Sequence, residues 1–325
     1  MTARPGVALL AVLWLITGAT AIAMTVVLGA RERIRTSANR ATLARSEWSA
    51  EDCLARARSA LDELLVRRPT PFAAMGVPPA ESLPILVARS REVGACPGAV
   101  RLAPVGMSLE LGALTAEVLR RALAFQRLPR PVTDSLVDAF LDWRDTDDVA
   151  RPHGCEHACY DALRREPPRN GPFASASELR LVRGFDRWDS LAVTGVGITP
   201  LDDLFSVEHG RVAITWAPLA VLAALPGLGE SGAREIVAQR SPGVARFHSL
   251  AAVGQVLSPA TRDSFALSFV TLEMLATVTP DAWLLTVTAP RQEPGAGLPS
   301  LGSRLVVRLI LGANGAQVIR RTASP

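Results

Sequence analysis

Lysine is absent from this 325-residue sequence, and all 35 basic side chains are arginine. Base composition produces such a bias, and no function follows from it. Also missing are a nucleophile motif, a Walker-type phosphate loop and a metal-ligand set with enzyme-like spacing, so nothing points to an enzyme. The formal net charge of +4 is spread along the chain instead of being gathered into a stripe that tracks nucleic acid. The longest absence is of charge itself: residues 7–30 contain no charged side chain. As a helix this run is about 36 Å long, enough to cross a bilayer core of roughly 30 Å.

Three readings compete for that segment. A secretory signal has a shorter apolar region, of roughly 7–15 residues, although Leu28-Gly29-Ala30 would serve as a small-residue cleavage site. An ordinary anchor places its basic residues on the cytoplasmic side. Here Arg4 precedes the run while Arg31, Arg33 and Arg35 follow it, which by itself would keep the bulk of the chain inside the cell. The third reading is the N-terminal helix of a pilin-like subunit.

Helical periodicity continues beyond the run. Ile34, Ala38, Ala41, Ala44, Trp48, Leu54, Ala57, Leu61 and Leu64 form an apolar stripe that ends before Pro69. Residues 69–105 are rich in proline and small residues, with short strand-like stretches at Ile85-Leu86-Val87 and Val100-Arg101-Leu102. Helical patterns resume over 111–128 and 132–143, separated by Pro129 and Pro131. Residues 283–288 and 305–310 read as paired strands with a loop at 294–299 between them, and 317–321 as a shorter third. At this length about two domains fit outside the membrane.

Local chemistry concentrates at residues 142–157. Asp142, Asp145, Asp147 and Asp148 fall within seven residues and repel one another unless a cation or arginines offset them. Clustered carboxylates suit Ca²⁺, which takes six to eight oxygen ligands. The stretch is not an EF-hand, lacking the loop glycine and the terminal glutamate. The plain alternative is a solvated helix end neutralised by Arg144 and Arg151. Zinc on His153, Cys155, His157 and Cys159 is disfavoured, because four ligands within seven residues do not wrap an ion. The four cysteines, Cys53, Cys96, Cys155 and Cys159, allow three pairings. Cys155 with Cys159 closes a local loop and leaves Cys53 with Cys96. Residues 222–240 have the form of a helix-hairpin-helix around Gly227 and Gly229, and a diverged copy is expected at 177–185. Glu230 and Glu235 beside Arg234 and Arg240 partly cancel any attraction for phosphate. A packing role is therefore preferred to a membrane-anchored DNA receptor, and no nucleic-acid partner is expected.

Gly6 followed by Val7, Ala8, Leu9 and Leu10 resembles the processing site of type II secretion pseudopilins, where a prepilin peptidase cuts after the glycine. Two departures accompany the match: Pro5 stands where a basic residue is usual, and Ala11 where most such subunits carry glutamate. Lack of that glutamate is typical of the K class of minor pseudopilin, whose acidic loop is similar to this one at Asp142, Trp143, Asp145, Asp147, Pro152, Gly154, Glu156 and Tyr160. Asp148 adds a carboxylate, while Cys155 and His157 depart from that pattern, as do the missing asparagines at 210–215 and 108–111.

The resemblance implies an α+β, pilin-like fold: a long N-terminal helix on a small antiparallel sheet, with a large inserted all-α domain containing the helix-hairpin-helix-like element. The expected divisions are a leader at 1–6, a membrane helix at 7–30, the first part of the pilin-like domain at 31–105, the insert at 106–275 and closing strands at 276–325. It further implies structural calcium on Asp142, Asp145, Asp147, Asp148 and Glu156. The chain would be a single-pass inner-membrane protein with its globular part in the periplasm, at the pseudopilus tip. Its partners there would be the I- and J-class minor pseudopilins, with further contacts to exported protein or the outer-membrane secretin. A buried glutamate in an apolar bundle is costly without a partner amine, so a subunit with no neighbour above it has reason to lack one. Cleavage between Gly6 and Val7 predicts a mature chain starting at Val7, which intact mass spectrometry reads directly; any other N-terminus would remove the assignment of this junction.

Overall fold

A computed structural model describes residues 5–67, 99–188, 198–240, 247–289, 303–312 and 315–324. The expected strand at 85–87, the loop at 294–299, Cys96 and Leu64 as a packing side chain lie outside these described residues. The chain opens on a 63-residue helix, α1 (Pro5–Arg67). Its N-terminal half is apolar, with mean hydropathy 2.0 over its most hydrophobic window, and none of that window is buried within the molecule.

Among the described residues, only the last third of α1 packs. Ser46, Ala50, Cys53, Leu54, Ala57 and Leu61 are buried, and the small side chains at 50, 53 and 57 let the helix lie close on a sheet. Ile34 and Trp48, placed on the packing stripe by their spacing, are instead exposed at 68% and 77%. The six-residue step from Trp48 to Leu54 is the reason. At about 100° per residue it rotates the side chain by roughly 240°, onto another face.

The sheet has four antiparallel strands in the order β1 (Ala99–Pro104), β6 (Trp283–Thr288), β7 (Arg304–Gly312), β8 (Gly315–Ser324). Alternation along β6 turns Trp283, Leu285 and Val287 towards α1, where they meet Leu305, Val307 and Leu309 of β7 in one apolar cluster. Polar contacts fix the helix on the sheet: Ser46 and Ser303 share a buried hydroxyl hydrogen bond of 2.7 Å, and the Ala316 N–H donates to Asp62 Oδ1 at 2.7 Å. Glu51 pairs with Arg321. The third strand, expected to be the shortest, is ten residues long because it pairs with the whole of β7 across a bulge at Arg308/Leu309.

Between β1 and β6 lies the helical insert, with a hydrophobic core of its own running from Leu109 to Val278. Its elements are β2 (Leu109–Glu110), α2 (Ala116–Phe125), α3 (Arg130–Arg144), α4 (His157–Ala162), α5 (Leu201–Leu204), β3 (Phe205–Ser206), β4 (Val212–Ala213), α6 (Leu219–Ala224), α7 (Gly229–Gln239), α8 (Leu250–Gln255), α9 (Pro259–Leu267), α10 (Phe269–Leu275) and β5 (Ala276–Thr277). Short 3-10 helices at Ala176–Leu181 and Phe185–Arg187 stand where a second hairpin copy was expected. Ala276 and Thr277, assigned from the sequence to the closing strands, pair in parallel with Val212 and Ala213 inside the insert. The main sheet resumes at Trp283.

Leu61→Ala removes a fully buried side chain from the helix-sheet interface and is expected to cost about 2–4 kcal/mol. Trp48→Ala should leave stability within about 0.5 kcal/mol. Urea denaturation of the two variants in detergent checks the pair, and equal losses would contradict this packing face.

Candidate metal centre

Helix α3 is amphipathic, and its buried face carries Thr133, Leu136, Val137, Ala139, Phe140, Asp142 and Trp143. An aspartate on such a face requires partners, because burying an unpaired charge is costly. Asp142 is fully buried and receives three: the Arg151 N–H at 3.2 Å, the Arg151 guanidinium at 2.6 Å and the Cys155 N–H at 2.8 Å. The returning chain passes so close that a Cβ at Gly154 would stand 1.8 Å from Asp142 Oδ2. Only glycine fits there.

Asp145 caps the C-terminus of α3 in extended conformation and shares the Arg151 guanidinium at 2.5 Å. Glu156 precedes α4 as its N-cap residue, yet its side chain makes no capping bond. Ligand oxygens of Asp142, Asp145 and Glu156 all lie within 4.8 Å of one another. Asp145 Oδ1 and both oxygens of Glu156 are buried without a hydrogen-bond donor. Three carboxylates against one guanidinium leave two negative charges uncompensated when Glu156 is ionised, the charge of a divalent cation. Burial, then repulsion from Asp142, Asp145, Asp148 and Asp147, raises the Glu156 pKa to about 7.

The structure divides the five predicted ligands into two groups. Asp142, Asp145 and Glu156 converge. Asp147 and Asp148 are exposed and serve the loop backbone, Asp147 Oδ1 accepting from Val149 N at 2.9 Å and Asp148 Oδ1 from His157 N at 3.1 Å. Arg144, which the alternative reading paired with Arg151 as a neutralising charge, turns away to donate to the carbonyls of Leu111, Gly112 and Leu114, its guanidinium over the Phe140 ring. Among the described residues, Arg151 performs that role.

Cys155 and Cys159 form a disulfide, which removes them as zinc ligands, and the exposed His157 ring faces Asp161 at 3.3 Å. Cys53 is also disulfide-bonded, and its expected partner, Cys96, lies outside the described residues.

Sequence reasoning missed Asn170. It sits at positive φ (51°), donates to the Asp147 carbonyl at 3.1 Å and buries its own carbonyl oxygen without a donor. The Asn170-Gly171 turn signal was the available clue. Below the loop, Trp143 Nε1 donates to Glu178 at 3.0 Å and its ring meets Tyr160 edge-on at 5.4 Å. Burial opposes ionisation of Glu178, but donors from Ala174, Trp143 and Arg169 outweigh it and hold the pKa below the usual range.

The turn between α6 and α7 has the glycines the sequence singled out, Gly227 (φ 76°) and Gly229 (φ 58°), and Gly227 lies against the Ser264 carbonyl. Its charges are internally satisfied. Glu230 pairs with Arg234 at 2.6 Å and with Arg127 at 2.8 Å, and Arg240 is spent on the carbonyls of Ile214, Thr215 and Ala217.

A raised Glu156 pKa has a defined consequence for stability. The folded chain holds a proton that the unfolded chain, near the ordinary value of 4.5, has released. Metal-free stability is therefore greatest below about pH 4.5 as far as this group is concerned, and falls as pH rises through 7, by about 3 kcal/mol in all. Urea titrations in chelator at pH 5 and pH 8 measure the fall, and Glu156→Gln is expected to flatten it; an unchanged slope in that variant would assign it to another group.

Residues 107–192, the first part of the insert with the whole acidic loop, match the family model for the type II secretion system protein K. A chain of the crystal structure of the GspK-GspI-GspJ complex from the enterotoxigenic Escherichia coli type 2 secretion system superimposes with a TM-score of 0.61 at 16% identity. The alignment covers 90% of this chain and 99% of that one, so the likeness extends to the pilin-like helix and sheet as a shared fold. No curated protein matches the sequence. The acidic loop thus lies inside the region that matches protein K of the type II secretion system, and the surrounding helix and sheet have the fold of that GspK chain.

Proposed function

We propose that this chain is a minor pseudopilin of the type II secretion system, that it occupies the tip of the pseudopilus and initiates its assembly with the I- and J-class minor pseudopilins, and that it so supports export of folded proteins across the outer membrane. The observation that carries the reading is the division of α1. Its uncharged N-terminal segment has no buried side chain among the described residues, while its last third is packed on the sheet. Such a helix anchors in the inner membrane and presents the globular part to the periplasm. The insert between β1 and β6 adds bulk that a stacked helical filament has no room for, which favours an end position. The solved complex of related fold contains GspI and GspJ beside GspK, which supports partners of those two classes here. The role is mechanical.

Calcium fits the acidic loop. Its donors are hard oxygens, two uncompensated charges match a divalent ion, and the orphaned oxygens of Asp145 and Glu156 lack any other partner. Asp142, Asp145 and Glu156 would hold the ion, with Arg151 remaining as the fixed counter-charge. When bound, calcium would order the loop on the insert and take no part in chemistry. The DNA-receptor alternative has no observation in its favour, because the hairpin arginines are already engaged.

Gold-labelled antibody against the insert should mark one end of isolated pseudopili, and labelling along their length would refute the tip position. Calcium at about a hundredfold its Kd stabilises by about 2.7 kcal/mol, so the melting midpoint should rise by roughly 5 °C and return on adding chelator. An unchanged midpoint would mean there is no site.

A further inference from the structure

Two residues that depart from the family-like pattern of the loop are joined in the structure, and what they enclose is the ligand Glu156. Cys155 is fully buried, and its N–H is bound to Asp142 Oδ2. Cys159, four residues on, closes the disulfide with a Cα–Cα separation of 5.4 Å. Inside that ring the Cys159 N–H donates to the Glu156 carbonyl at 2.8 Å. The ring is also held from outside. Arg183 donates through Nη1 to the Gly154 carbonyl at 3.0 Å and lies 3.8 Å from Cys159 Sγ, while its N–H donates to the Tyr160 hydroxyl at 2.8 Å.

A loop this short removes little entropy from the unfolded chain, so the crosslink contributes less to global stability than one spanning a long loop. Its effect is local. The Glu156 carboxylate faces Asp142 and Asp145 with no donor of its own, and repulsion drives it away from them. Helix α4, which follows, has six residues and cannot hold its own first turn by helix formation alone. Some other restraint must keep Glu156 in place, and the disulfide is the covalent one.

We propose that the Cys155–Cys159 disulfide is a positioning element of the cation site, holding Glu156 against Asp142 and Asp145, and that its reduction by a dithiol weakens cation binding. The proposal rests on the calcium reading given above. Reduction breaks one S–S bond, takes up two electrons and two protons to leave two thiols, and converts the dithiol to its cyclic disulfide. The site would thereby sense the redox state of its compartment.

The test is calorimetric titration of calcium into the full chain in detergent, comparing the oxidised protein with the double variant Cys155→Ser/Cys159→Ser, which keeps the disulfide at Cys53. The Kd is expected to rise at least tenfold in the variant. Equal affinities would overturn the proposal and leave the calcium reading intact. If the oxidised chain binds no calcium, that reading falls, and amide exchange in chelator decides the positioning claim: faster exchange at residues 156–159 of the variant supports it, and unchanged exchange overturns it. Should the variant fail to fold, stepwise reduction of the natural chain with dithiothreitol, with alkylation of Cys155 and Cys159 followed by mass spectrometry, supplies the reduced state for the same two readouts.

Discussion

The buried carboxylate of Asp142 is the constraint around which the acidic loop is built. A charge fully withdrawn from water must be met by hydrogen bonds, and here the bonds come from a loop that has to return to it. Meeting that demand brings Arg151 and Cys155 to the end of α3, obliges Gly154 to carry no side chain, and places Glu156 among other carboxylates. The neighbouring charge is thus a consequence of satisfying the first one. Trp143, one residue on, extends the same logic to Glu178 and Tyr160, which tie the following segment to the core.

A second constraint acts on the long helix. Its apolar half has no buried side chain among the described residues, and it is long enough to cross a bilayer. The packed third is set by the sheet, through alanines and a cysteine small enough for close approach and through the buried Ser46–Ser303 contact. These demands meet in one unbroken helix. The insert is a separate hydrophobic unit attached at two points of the sheet, between β1 and β6, which is how a large helical body is carried without interrupting the strand pairing of β6, β7 and β8.

Much of this was legible in advance, for identifiable reasons. Uncharged runs and strict alternation are local signals, so the long apolar helix and the strand at 283–288 follow from the sequence directly. The packing stripe failed at Trp48 because one step of six residues was treated as continuous with steps of three and four. Asp147 and Asp148 looked equivalent to Asp145 because composition counts carboxylates without saying which of them face outward. The same holds for Arg144: proximity in sequence to an acidic cluster does not say whether carbonyls one helix away will claim the guanidinium first.

By itself the sequence determined the class of fold, the long apolar helix, the site of the acidic loop and the cysteine pair that closes on itself. All of these depend on neighbours within a few residues or on the periodicity of one element. The tertiary structure alone decided which three carboxylates converge, that Arg151 is their counter-charge, that Asn170 joins the loop, and that the hairpin arginines are occupied. Those outcomes depend on where the returning chain passes a buried charge, and that path is set by packing across the whole insert.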